Sequence, residues 1–211
     1  MSAVQEFKRD NIVVMKSDIA KLAHRVDVVV NASNPDIKMG GGVAGAIHTK
    51  FGDYLEEMTE NIDSMSTGSC ILTKPLQLLE DGDLPANQCN VIHTLAPRQG
   101  HPDWMFLLER CYQGALELVK RHNFGGPYGE PYVQDTRQLK KIAFPMLGTG
   151  AYGLASEQAD SICVTTVSEW IDQNYPDGGL TAYLVVGPYA NDADERVLEL
   201  ARRATRLGQE D

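Results

Sequence analysis

The residues best placed to do chemistry lie between Val28 and Phe51, in the run VVVNASNPDIKMGGGVAGAIHTKF. Val28, Val29 and Val30 are β-branched and uninterrupted, the pattern of a strand buried on both faces. Asn31, Ser33, Asn34 and Pro35 stop that strand. Gly40, Gly41 and Gly42 then let the backbone take positive φ and approach a ligand, and a helix begins over Val43, Ala44, Ala46 and Ile47. The first N–H groups of that helix have no partner within it. A strand, a glycine turn and a helix N-terminus together make an anion cradle, whose expected guest is a phosphate or pyrophosphate.

Other readings of the same glycines stay open at this point. Gly40, Gly42 and Gly45 also satisfy G-x-G-x-x-G, but in a dinucleotide fold that fingerprint follows its strand directly, and here eight residues separate Asn31 from Gly40. A purely structural turn is the simpler alternative, although three adjacent glycines cost chain entropy that a connector need not lose. A Walker loop is excluded, because no Gly-Lys-Ser/Thr follows.

A second glycine-rich loop follows the expected strand Lys141 to Pro145. Gly148, Thr149, Gly150, Ala151, Tyr152 and Gly153 alternate bare backbone with one hydroxyl and one ring. That composition suits a wall closing over a diphosphate, with Tyr152 against a ribose, and equally suits an ordinary β-α turn.

Positioning these loops requires strands that alternate with helices. Asn11 to Lys16 reads as a strand, and Asp18 stands as an N-cap ahead of Ile19, Leu22 and Ala23. Tyr54 to Ile62 reads as a helix, Ser69 to Thr73 and Asn90 to Thr94 as strands, and Pro75 to Gln88 as a connection between them. Trp104 to His122 places Phe106, Leu107, Tyr112, Ala115, Leu116 and Val119 at near-helical spacing, which predicts a covering helix with its aromatics in the core. Ser156 to Trp170 reads as a helix capped by Ser156, Leu180 to Val186 as a strand, and Glu195 to Arg206 as a closing amphipathic helix. The segment 124–138 is rich in glycine and proline and reads as an extended loop, an insertion beside the site. The pattern predicts one domain over residues 1–211, a three-layer α/β/α sandwich with a mixed, largely parallel central sheet. Ligands in such sheets bind outside the strand carboxyl ends, where both glycine loops fall.

At 211 residues and 43% hydrophobic, the chain is long enough for a substantial core. Its first residues lack the apolar stretch of a signal peptide and no later run is long enough to span a bilayer, so the expectation is a soluble, cytoplasmic protein with no membrane partner. Cys70, Cys89, Cys111 and Cys163 lie far apart without zinc spacing and read as buried hydrophobes of a reducing compartment, so neither a metal nor a cofactor is expected. The net charge of −10 argues against nucleic acid, and an anionic ligand is compatible with it if main-chain N–H groups hold the phosphates.

The stretch NASN followed by MGGGVAGAIH resembles the signature of the macrodomains, ADP-ribose-binding modules that include ADP-ribosyl hydrolases and O-acetyl-ADP-ribose deacetylases. Ser17-Asp18-Ile19 is similar to the family's early Gly-Asp-Ile, Val91-Ile92-His93-Thr94 to its central strand, and FPMLGTGAYG to its second ligand loop. Four motifs in order over about 140 residues make a specific match. The resemblance implies that Asp18 accepts from the adenine amino group and that Ile19 lines the base pocket. It implies that Gly40, Gly41, Gly42 and Val43 meet the phosphates, with Gly148, Thr149, Gly150, Ala151 and Tyr152 opposite. It further implies that Asn34 hydrogen-bonds the distal ribose, and that His48 stands where hydrolytic members often have His. Two departures matter: Gly148 replaces a more usual Ser or small residue, and Ala44 replaces the Asp that many hydrolytic members carry. Active hydrolases with Val-Ala-Gly at this place are thought to activate water through the substrate's own phosphate. Asn34 and His48 are thus the catalytic candidates. Two functions follow, a hydrolase of ADP-ribosyl esters or a reader that binds ADP-ribose or an ADP-ribosylated protein without turnover, with a role in NAD metabolism in either case.

Overall fold

A computed structural model of the chain describes residues 6–9, 11–73, 76–78, 87–125 and 137–207. Among the described residues eight strands form the central layer: β1 (Glu6–Arg9), β2 (Ile12–Lys16), β3 (Val28–Ala32), β4 (Cys70–Leu72), β5 (Leu76–Leu78), β6 (Asn87–Thr94), β7 (Lys141–Pro145) and β8 (Thr181–Val186). Their order is β1-β2-β8-β7-β3-β6-β4, with β5 also paired to β6. The five strands from β2 to β6 in that order run parallel, while β1, β4 and β5 pair antiparallel at the margins.

Alternation along β3 explains its three valines. Val28 and Val30 face the core under α3 (Trp104–Phe124), α4 (Ser156–Asn174) and α5 (Ala193–Leu207). Val29 faces the opposite core, formed with a 3-10 turn (Ile19–His24), α1 (Gly42–Phe51) and α2 (Asp53–Thr59). Both faces of β3 are buried, so its valines run on without alternation, and the polar Asn31 near its end is accommodated by a hydrogen-bond partner on β6. The result is the three-layer α/β/α sandwich expected, with a mixed and largely parallel sheet.

Several local expectations need correction. The helix after Asp18 is a 3-10 turn, although Asp18 caps it as expected, its Oδ1 accepting from Ala20 N–H at 3.0 Å. Ser156 is the first residue of α4 rather than its cap; Ala155 holds the cap position with no side-chain bond. The helix expected to reach Ile62 ends at Thr59. On α3, Tyr112 is fully buried beside Phe144, its hydroxyl accepting from Leu147 N–H at 3.0 Å, but Phe106 is 58% exposed. Helical spacing identifies a stripe, and Phe106 lies at its edge, where a large ring reaches water. Strands β1 and β5 add to the expected set: both are short marginal strands whose sequences carry little periodicity. The glycine- and proline-rich segment expected as an insertion at 124–138 falls largely outside the described residues. All four cysteines are free, three of them buried. Among the described residues no helix is long and apolar enough to cross a membrane.

Candidate functional site

The carboxyl ends of β3, β6, β7 and β8 open beneath two adjoining chambers. The first, of about 620 Å³, is lined by Asp18 and Ile19, by Gly42 and Val43 at the start of α1, by Thr149 and Gly150, and by the turn Gly187-Pro188-Tyr189 after β8. The second, of about 410 Å³, is lined by Ser33, Asn34 and Gly40 to Ala44 on one side and by Gly148, Gly150, Ala151 and Tyr152 on the other. Gly42, Val43, Met146 and Gly150 line both, so the two are halves of one cleft with the glycine cradle at its waist.

The first loop is held from below. Asn31 and Ser33 are buried, and the Asn31 amide and the Ser33 hydroxyl both lie 3.1 Å from His93 Nδ1 on β6. Burial pushes the His93 pKa down to about 3, assisted by nearby His48, so the ring is neutral and serves as a hydrogen-bonding post. Asn34 then ties the loop to itself: Lys38 N–H donates to its Oδ1 at 2.9 Å, and its Nδ2 donates to the Lys38 carbonyl at 2.8 Å. Ile37, with φ 52°, is a β-branched residue in the left-handed region, and its burial against Met65 and Leu95 holds that strained conformation.

Each glycine of the cradle has its own reason. Gly42 has φ 59°, which only glycine adopts at no cost. Gly45 is helical, but a Cβ there would meet the Gly40 carbonyl oxygen at 2.5 Å, so the loop crosses α1 in contact with bare backbone. Among the described residues nothing stands within 4 Å of a Cβ built at Gly41 or Gly42, and both line the open cleft. Gly41 is the N-cap of α1 and supplies no side-chain bond, which leaves the first N–H groups of the helix for a ligand.

The second loop is equally constrained. Gly148 has φ 75°, and a Cβ there would overlap Leu154, so the departure from Ser has a local cause in this chain's own packing. Thr149 donates to the Met146 carbonyl at 3.0 Å, and Tyr152 reaches across the second chamber to donate to the Ser33 carbonyl at 3.5 Å. Among the described residues the charged side chains lining the chambers are Asp18 and Arg196, and Arg196 is bound to Asp160. An anion in the waist would meet main-chain N–H groups rather than lysines.

The structure therefore brings Asp18, Ile19, Asn34, Gly40, Gly41, Gly42, Val43, Gly148, Thr149, Gly150, Ala151 and Tyr152 onto one cleft. His48 is not among its lining residues. It is buried on α1 with Nδ1 4.0 Å from Glu56 Oε1. Burial lowers its pKa, Glu56 opposes the shift, and Lys38 adds to it. Sequence reasoning missed Met146, Tyr189 and Arg196. The turn Gly187-Pro188-Tyr189 had a usable signal, since it follows a parallel strand at its carboxyl end.

A cleft at this place on a sheet of this order defines the chain's class. The family model described as Macro domain matches residues 30–163, and the chain belongs to the macrodomains. It is 36% identical over 183 residues to a Macro domain-containing protein of Methanosarcina mazei, covering 85% of this chain and 83% of that one. It is 35% identical over 172 residues to the O-acetyl-ADP-ribose deacetylase of Escherichia coli K12, covering 79% of this chain and 83% of the relative. Among solved structures, the Oceanobacillus iheyensis macrodomain with ADP superposes with a TM-score of 0.66 at 26% identity, covering 99% of this chain and 97% of that one.

Proposed function

We propose that this protein binds ADP-ribose along the cleft and hydrolyses ADP-ribosyl esters at the distal ribose. The observation that carries this reading is the waist: one cavity on each side, a helix N-terminus between them, and a polar side chain suited to each end. Adenosine takes the first chamber. One Asp18 oxygen already caps the 3-10 turn, and the carboxylate is an acceptor for an exocyclic amine. The pyrophosphate lies at the waist on N–H groups of the α1 start, with Thr149, Gly150 and Ala151 closing the opposite side. The distal ribose takes the second chamber, between Tyr152 and the Asn34 amide.

Water adds to the anomeric carbon of the distal ribose while its bond to the ester oxygen breaks and a carboxylate leaves. The carboxylate needs no proton at neutral pH, so the burden falls on activating the water. Ala44 offers no base and His48 is buried away from the chambers, which favours proton transfer to the substrate's own phosphate. What the chain supplies is position, and misplacement of reacting groups by a fraction of an ångström is costly.

Ala44 also supports a second reading, a reader that binds ADP-ribosylated protein without turnover. Incubating the purified protein with a protein mono-ADP-ribosylated on acidic side chains distinguishes them. Release of ADP-ribose, absent with Asn34→Ala, supports the hydrolase; retention of bound but uncleaved substrate supports the reader.

A further inference from the structure

Arg98 lies exposed in the segment that follows β6, against Tyr152, which lines the second chamber. Its guanidinium sits 4.6 Å from the centroid of the Tyr152 ring, and Tyr152 is itself tied across the cleft to the Ser33 carbonyl. A contact with the ring face uses none of the guanidinium N–H donors, and no carboxylate pairs with Arg98 among the described residues. On the facing loop Lys38 is exposed, its main chain held by Asn34 and its ammonium likewise without a carboxylate partner among the described residues. In a chain of net charge −10, Arg98 and Lys38 thus each set a cation beside a residue that lines the second chamber, Arg98 against Tyr152 and Lys38 next to Asn34.

We propose that Arg98, assisted by Lys38, recognises carboxylates on the polypeptide that carries the ADP-ribose, so that the preferred partner is a modified side chain within an acidic segment. This rests on the distal ribose occupying the second chamber, because only then does the attached polypeptide emerge beside these two cations. A planar guanidinium held on an aromatic ring loses little freedom when it takes a carboxylate through two N–H groups. The net charge of −10 disfavours such a segment on the chain as a whole, so attraction by these two cations also favours the orientation that feeds the linkage inward.

The test uses two peptides mono-ADP-ribosylated at one central glutamate, one flanked by further glutamates and the other by glutamines, with free ADP-ribose as control. Binding is measured by titration at low and high salt. The wild-type protein should favour the acidic peptide by roughly three- to tenfold at low salt, and the preference should shrink as salt rises. Arg98→Gln should erase most of that preference without changing the affinity for free ADP-ribose, and Arg98→Lys should restore part of it. Equal wild-type affinity for the two peptides overturns the proposal, as does an undiminished preference in Arg98→Gln. An equal loss for both peptides and for free ADP-ribose assigns Arg98 to holding Tyr152 and also overturns it. If the wild-type protein binds none of the three, the ADP-ribose reading itself fails, an outcome the free-ligand control separates from the others.

Discussion

The Arg196 guanidinium grips both carboxylate oxygens of Asp160, Nε to Oδ2 at 2.8 Å and Nη2 to Oδ1 at 2.7 Å, and the same Nη2 lies 3.4 Å from the Thr149 hydroxyl. One ion pair thus joins α5 to α4 and braces the second loop where it lines the first chamber. Both side chains are largely buried. Asp160→Asn should destabilise the protein by about 2–3 kcal/mol, below the full cost of stranding a buried charge because part of Arg196 still reaches solvent. Urea denaturation measures it; a loss under about 0.5 kcal/mol would reduce the pair to an ordinary surface bridge.

Asn34→Ala should lower turnover of an ADP-ribosyl ester far more than it lowers ADP-ribose affinity, if Asn34 orients the distal ribose and its attacking water. His48→Leu is the companion. Since His48 is buried off the cleft, its loss should leave the rate within about threefold, whereas a general acid or base would cost roughly 10²–10⁴-fold. A large rate loss with unchanged folding in His48→Leu would restore it to the chemistry.

Asp18 has two roles that different substitutions separate. Asp18→Ala removes the cap on Ala20 N–H and the carboxylate together, and should weaken ADP-ribose by roughly 1–3 kcal/mol. Asp18→Asn keeps an oxygen for the cap but presents an amide toward the base, so stability should hold while affinity falls. Ribose 5-phosphate, which has no base, should bind both variants as it binds the wild type. Equal weakening of both ligands would leave Asp18 as a cap alone.

The neutral, buried His93 makes stability depend on pH in a defined direction. Its folded-state pKa is depressed to about 3, so below the unfolded value of 6.5 the unfolded chain takes up the proton first. This contribution is complete above pH 6.5 and is lost as pH falls toward 3, amounting to about 2 kcal/mol between pH 6.5 and 5. His48 shifts in the same direction. His93→Gln should be less stable at pH 7 yet show a shallower decline on acidification, read from denaturation curves at successive pH values. An unchanged slope would mean that His93 is solvated in the folded state.

Local rules decided a large part of this protein in advance. Three adjacent valines mark a doubly buried strand, an Asp before an apolar run marks a cap, and glycine clusters after strands mark the two loops, because each depends on near neighbours in the chain. What adjacency could not decide was which side chains converge. Asn34 and His48 are both polar and both close to the cradle, yet one faces the second chamber and the other is buried on α1, a difference set by which face of the helix packs on the 3-10 turn and sheet. Gly148 reads as a departure in sequence and as a requirement once Leu154 is seen against it. Arg196 lies in a terminal helix far along the chain and reaches the site only because α5 packs beside α4. Such contacts join residues distant in sequence, and only the folded sheet and its packed helices bring them within reach.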